Sequence, residues 1–179
     1  DKDSGLLSVW GARKIGKTST IMNAVKYAQL NGFSTAWFDF QGMYGSDINE
    51  VFSQMVLRYL QDTDNDTKAE ILRRRKDTSH ALEARHRLAQ HIEERTKDTV
   101  LAFDEVDYVQ SINAANEFFS FLRAMYTRSV LKPSKNRLVI LISSFSPPSR
   151  LIDDDAVSPF DVGHQFRLST FDRKEDVES

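Results

Sequence analysis

Short, continuously apolar runs alternate along this chain with longer stretches in which apolar residues recur every three or four positions. That alternation predicts buried parallel strands joined by crossover helices. The first run is about Leu6 to Trp10. A helix follows from Lys17 to about Leu30, with Ile21, Ala24, Val25 and Ala28 on one face and Asn31-Gly32 to stop it. Phe33 to Phe40 reads as the second strand, and Gln41-Gly42-Met43-Tyr44-Gly45 as a loop. Ser46 or Asp47 can cap a helix carrying Ile48, Val51, Phe52, Met55, Val56 and Tyr59. Residues 61–79 are polar and charge-dense, from Gln61 to Arg73-Arg74-Arg75-Lys76 and beyond, and read as an insertion or a surface helix.

The periodicity resumes from about Ser79 to Arg95, where Ala81, Ala84, Leu88 and Ile92 make a narrow apolar face. Val100-Leu101-Ala102-Phe103 is the next strand. From Asn113 to Arg128, Phe118, Phe119, Leu122 and Met125 stand at helical spacing and are expected in the core. After a turn at Lys132 to Asn136, Arg137 to Ser144 is a fourth strand ending in hydroxyls. Pro147-Pro148 keeps a helix from starting at once, and Gln165 to Ser169 alternates as a short last strand. No repeat or low-complexity tract divides the chain, so residues 1–179 are expected to form one domain.

The candidate chemistry sits at two strand ends. Gly11-Ala12-Arg13-Lys14-Ile15-Gly16-Lys17-Thr18 has the form G-x-x-x-x-G-K-T and lies between the first strand and the first helix. Such a loop wraps backbone N–H groups around phosphates, with glycines at its turning points and a helix N-terminus behind it. Lys17 is expected to charge-pair with the β and γ phosphates. Thr18 would offer a hydroxyl to Mg²⁺, and Ser19 extends the binding set. The second site is the apolar run that ends in Asp104-Glu105. Carboxylates at the C-terminal end of a buried strand emerge where open α/β sheets bind ligands. Asp104 is therefore the candidate for the Mg²⁺ water shell, and Glu105 for orienting and deprotonating an attacking water. The catalytic candidates are thus Glu105 and Lys17.

Composition adds exclusions. With 40% hydrophobic and 28% charged residues, the chain has the balance of a soluble globular domain. No window approaches the ~18 apolar residues of a membrane span and no signal-peptide pattern is visible, so a cytoplasmic location is expected. There is no cysteine, and the four histidines (His80, His86, His91, His164) are scattered, so neither a thiolate site nor a metal cluster is expected. The net charge of −2 argues against a dedicated nucleic-acid surface. No guanine-selecting N-K-x-D motif occurs, which favours ATP.

Five strands with these two motifs resemble the additional-strand class of P-loop NTPases, which implies a three-layer α/β fold with strand order 5-1-4-3-2. In that order the strand ending at Ser143-Ser144 lies between the first strand and the one ending at Asp104, so Ser143 or Ser144 is the candidate γ-phosphate sensor. A closer resemblance is carried by three segments: Phe103 to Tyr108, Asn116 to Tyr126, and Ser158-Pro159-Phe160-Asp161-Val162-Gly163. They look like the AAA-like NTPase domain of bacterial multidomain signalling proteins, which are related to the STAND class.

The resemblance implies a nucleotide switch flanked by sensor, effector or repeat modules, and a possible ATP-dependent homo-oligomer. The helical lid and winged-helix modules of such proteins have no counterpart here, so a domain excised from a longer protein is expected. No arginine finger can be assigned by spacing among Arg123, Arg128 and Arg150. Two other functions stay open: an oligomerisation scaffold gated by nucleotide, and a DNA-associated ATPase suggested by Arg73 to Lys76 and Arg85-His86-Arg87.

Overall fold

In the computed structural model, the described residues are 5–43, 47–63, 81–131, 135–152 and 158–169. They form a parallel five-stranded sheet of β1 (Gly5–Trp10), β2 (Ser34–Asp39), β3 (Thr99–Asp104), β4 (Leu138–Ser144) and β5 (His164–Arg167), in the order β2-β3-β4-β1-β5. This is the expected order 5-1-4-3-2, read from the opposite edge. The helices are α1 (Lys17–Leu30), α2 (Ile48–Asp62), α3 (Ala81–Glu93) and α4 (Ala115–Leu131), with short 3₁₀ turns at Gln41–Met43, Val106–Ile112 and Pro148–Arg150.

Strand alternation divides the core between the two faces of the sheet. Val100 and Ala102 of β3, with Trp37, Val139 and Leu141, pack against Ile21, Val25 and Ala28 of α1. Leu101 and Phe103, with Phe38, Ile140 and Ile142, face a larger core built by α2, α3 and α4. The expected apolar faces of these helices are buried: Val51, Phe52, Met55, Val56 and Tyr59 in α2, Leu88 and Ile92 in α3, and Phe118, Phe119, Leu122 and Met125 in α4. An aromatic chain crosses this layer. Phe38 stacks on Phe103 at 4.9 Å, Phe103 meets Phe118 edge-on at 5.6 Å, and Phe118, Phe119 and Phe160 continue it at 5.2 Å steps.

The differences from expectation lie at element ends. Of the two cap candidates, Asp47 caps α2, its side chain accepting from the N–H groups of Asn49 and Glu50. Ser46 lies outside the described residues. α2 runs to Asp62, with Thr63 as its C-cap, so residues 61–63 belong to this helix rather than to the charged segment. The remainder of that segment, Arg73 to Lys76 included, lies outside the described residues, as does His80. Pro147-Pro148 does not delay helical structure: Pro148 opens a 3₁₀ turn, because proline's fixed φ suits the first position of a helical turn. The Ser158–Gly163 element earns its spacing through close packing. Phe160 is buried, and a Cβ on Gly163 would lie 2.7 Å from the Leu6 carbonyl oxygen, so only glycine lets this segment run against β1 before β5.

Candidate functional site

The loop at residues 11–18 leaves β1 and enters α1 through backbone that favours glycine. Gly11 has φ +154°, and a Cβ there would stand 2.5 Å from the Leu168 carbonyl oxygen. Its N–H donates to the Ser144 carbonyl (3.3 Å), and the Leu168 N–H donates to the Trp10 carbonyl (2.8 Å), so the loop begins wedged between the ends of β4 and β5. Lys14 and Gly16 take left-handed φ values of 64° and 101°. Gly16 is the N-cap of α1 and provides no side-chain cap, and the first turn carries no acidic group. The helix therefore presents free N–H groups and its positive dipole end to the loop.

Lys17 is 7% exposed, and its ammonium donates to the carbonyls of Gly11 (2.9 Å) and Ala12 (2.8 Å). The cation is thereby held inside the curve of the loop. Ile15 is half-buried, while Ala12, Arg13, Lys14, Thr18 and Ser19 are exposed along the loop and the first helical turn.

The second cluster faces the same side of the sheet. Asp104 ends β3 on the α1 face, in register with Asp39 at the end of β2. It is 4% exposed, and Ser143 Oγ donates to its Oδ1. The same Ser143 oxygen accepts the Glu105 N–H at 3.0 Å. Strand parity separates the two serine candidates. Ser143 shares the α1 face with Val139 and Leu141, whereas Ser144 turns to the other face and donates to the Ser146 carbonyl at 2.8 Å.

Glu105 leaves the strand with φ +54°, a left-handed conformation unusual for glutamate, and is half-buried. Desolvation, with the Asp104 and Asp39 carboxylates next in size, holds its pKa above the ordinary value, and Lys17 and Arg13 partly oppose this. A carboxyl raised toward neutrality beside a cationic loop can accept a proton from water.

Three contributors were not legible in the sequence. Asp39 joins the carboxylate group only because β2 pairs with β3 in this register. Asp107, 5% exposed, accepts the N–H groups of Phe145 (2.7 Å) and Ser146 (2.9 Å), which ties the segment after β4 to the turn after β3. Its position within Asp104-Glu105-Val106-Asp107 was the only available signal. Phe145 carries the Arg13 guanidinium 4.9 Å from its ring centroid.

The arginines considered for catalysis lie in other contacts. Arg123 donates to the Ser158 carbonyl and to Asp161 (2.6 Å), and Arg128 pairs with Glu93. Arg150 sits in the last 3₁₀ turn, its carbonyl accepting from Gln110 at 2.6 Å. In the basic Arg85-His86-Arg87 run, Arg85 pairs with Glu117 at 3.5 Å and Arg87 with Glu83. A groove of 660 Å³ opens between α3 and α4, but the loop at residues 11–18 forms none of its wall, and Arg85, Ala89, Phe121, Met125 and Arg128 line it without a catalytic pairing.

Among the described residues no three His, Cys, Asp or Glu side chains are arranged to hold a metal by themselves, and no helix is long and apolar enough to cross a membrane.

Comparison with known proteins agrees with this architecture. The ORC2 protein of Aeropyrum pernix, solved as ADPNP-ADP complexes, superposes with a TM-score of 0.61 at 17% identity, over 92% of this chain and 41% of that one. The ORC1 protein of the same organism, solved in complex with DNA, gives 0.61 at 12% identity, over 94% and 40%. The expectation that the net charge argues against a nucleic-acid partner is therefore not borne out, since this fold occurs in a protein solved in complex with DNA. An uncharacterized WD repeat-containing protein of Synechocystis sp. is 32% identical over 76 residues, which is 42% of this chain and 6% of that protein. The chain thus spans less than half the length of each of these relatives. The model of the family described as AAA-like domain matches residues 1–179, and with the sheet order and loop geometry above, the chain belongs to that AAA-like family.

Proposed function

We propose that this domain binds ATP with Mg²⁺, hydrolyses it, and works as the nucleotide switch of a signal-transducing multidomain protein. The observation that carries the reading is the convergence on one sheet face of the Lys17 loop, Ser143, Asp104 and Glu105. Backbone amides of residues 11–18 and the α1 N-terminus would cradle the phosphates, and Lys17 would exchange its loop carbonyls for phosphate oxygens. Glu105 is the base: its left-handed backbone aims it off the strand, and its raised pKa suits it to take a proton from an attacking water. Ser143, bonded to both Asp104 and the Glu105 amide, would report the terminal phosphate to this pair.

The donor set fits Mg²⁺, which takes few protein oxygens and fills its shell from water and phosphate: Thr18 offers a hydroxyl and the buried Asp104 a carboxylate. Bound there, Mg²⁺ would neutralise charge on the phosphates.

The similarity to part of a WD repeat-containing protein supports a role inside a longer chain, in which this unit is the NTPase core and lid and winged-helix modules would lie in other parts of that chain. The STAND-like signalling context, a cytoplasmic setting, flanking sensor or effector modules and assembly driven by ATP follow from the same reading.

The deciding measurement is phosphate release from ATP and Mg²⁺ by the wild-type chain and by Glu105→Gln. Hydrolysis that falls by about 10²-fold or more with nucleotide affinity intact supports the reading. An unchanged rate removes Glu105 from the base role. Lys17→Ala is expected to weaken nucleotide binding by at least about tenfold, and undiminished binding would sink the phosphate-loop assignment. Asp104→Ala is expected to weaken the Mg²⁺-dependent part of binding.

A second reading, a DNA-associated ATPase, is favoured by the likeness to a DNA-bound ORC1 structure. Duplex-stimulated hydrolysis that declines steeply with salt would establish it.

A further inference from the structure

The geometry points to the Arg13 side chain, perched on the Phe145 ring at the flank of the phosphate loop, as the group that distinguishes a nucleoside triphosphate from a diphosphate. This rests on the nucleotide-binding reading above and gives a separate role to the side chain of Arg13, which the loop motif marks only as one of its variable positions.

Four observations carry it. First, Arg13 is exposed, and among the described residues it forms no ion pair and no hydrogen bond, so its planar fork of N–H donors is free for an anion. Second, it is held in place nonetheless, because its guanidinium lies 4.9 Å from the Phe145 centroid. The backbone that carries the ring is itself anchored: the Phe145 N–H donates to the buried Asp107 carboxylate at 2.7 Å. Third, the location is specific. Phe145 follows Ser144, which pairs with Trp10 at the point where β1 enters the loop, so Phe145 leaves β4 alongside the start of the loop, two residues after Ser143. Fourth, Arg13 lies near enough to Glu105 to oppose the rise in its carboxyl pKa, as Lys17 does. Its perch on Phe145, just past the end of β4, puts the guanidinium on the side of the loop toward β4 and β3, beside the strip between the loop and the Asp104–Glu105 pair. A terminal phosphate would enter that strip, whereas the inner phosphates would lie in the amides of the loop.

A charged fork at this place adds affinity only when the third phosphate is present. It can also neutralise charge that develops there, without a residue from a second protomer.

The test is the affinity of the chain for ATPγS and for ADP, each with Mg²⁺, in wild type, Arg13→Ala, Phe145→Leu and the double variant. Arg13→Ala is expected to weaken ATPγS by about ten- to hundredfold while ADP changes by less than about threefold. Phe145→Leu, which removes the perch but keeps the charge, is expected to cost ATPγS about two- to fivefold. In the double variant the loss should match that of Arg13→Ala alone, because the ring acts through the arginine. Equal losses for both nucleotides, or none for either, would overturn the assignment while leaving the nucleotide site standing. A wild-type chain that holds neither nucleotide would overturn both.

Discussion

Glu105 concentrates the electrostatic tension of the site. It is partly desolvated and faces Asp104 and Asp39, and the cations of Lys17 and Arg13 only partly compensate. A carboxyl whose folded pKa is raised favours the folded state below its ordinary pKa and loses that contribution as pH rises through the folded value. Glu105→Gln removes this partly desolvated negative charge, so it is expected to raise the Tm at pH 7. The difference should vanish below the ordinary carboxylate range, about pH 4. Thermal melts of both proteins across pH 3.5 to 8 would check this, and a variant less stable at pH 7 would contradict it. Ser143 adds a constraint of the same scale. Its single oxygen donates to Asp104 and accepts the Glu105 N–H, so it holds two acidic neighbours in one geometry. Ser143→Ala is expected to slow hydrolysis more than it weakens ADP binding, as separate rate and affinity measurements would show.

At the scale of elements, the site depends on how strand ends are tied together. Asp107 joins the turn after β3 to the segment after β4 through two N–H bonds to a buried carboxylate. Hydrogen bonds to charged groups contribute about 1.5 to 3 kcal/mol each, so Asp107→Ala is expected to cost about 3 kcal/mol in a denaturant titration. Asp107→Asn, which keeps an acceptor for one N–H, should cost about half as much. The aromatic chain acts similarly behind the sheet. Phe118 is fully buried between Phe40, Phe103 and Phe119, and Phe118→Ala is expected to cost about 3 to 5 kcal/mol. These elements were readable in advance wherever periodicity is strong. α1 begins and ends at the expected residues because Gly16 and Asn31-Gly32 bound it chemically. Ends that lack such signals moved by one to three residues: β5 starts at His164, and α4 begins at Ala115 after the left-handed Asn113.

For the whole molecule, the sheet order brings residues almost ninety positions apart, Lys17 and Asp104, to one edge. The function proposed for that edge predicts a behaviour of the complete chain: size-exclusion chromatography should show a larger species with ATP than with ADP or without nucleotide. A profile indifferent to nucleotide would leave a monomeric enzyme as the simpler account. The parallel α/β class, the glycine-bounded loop at residues 11–18, the acidic strand end and the buried faces of α1, α2 and α4 were all determined locally, because each depends on residue types at short spacing. Backbone turning needs Gly11 and Gly16, and a doubly buried strand needs an unbroken apolar run. Long-range pairing decided the rest. Which serine faces Asp104, why Asp39 and Asp107 belong to the site, and why Arg13 rests on Phe145 depend on strand register and parity. Those properties exist only once strands far apart in sequence lie side by side, since a shift of one residue would turn every side chain to the other face.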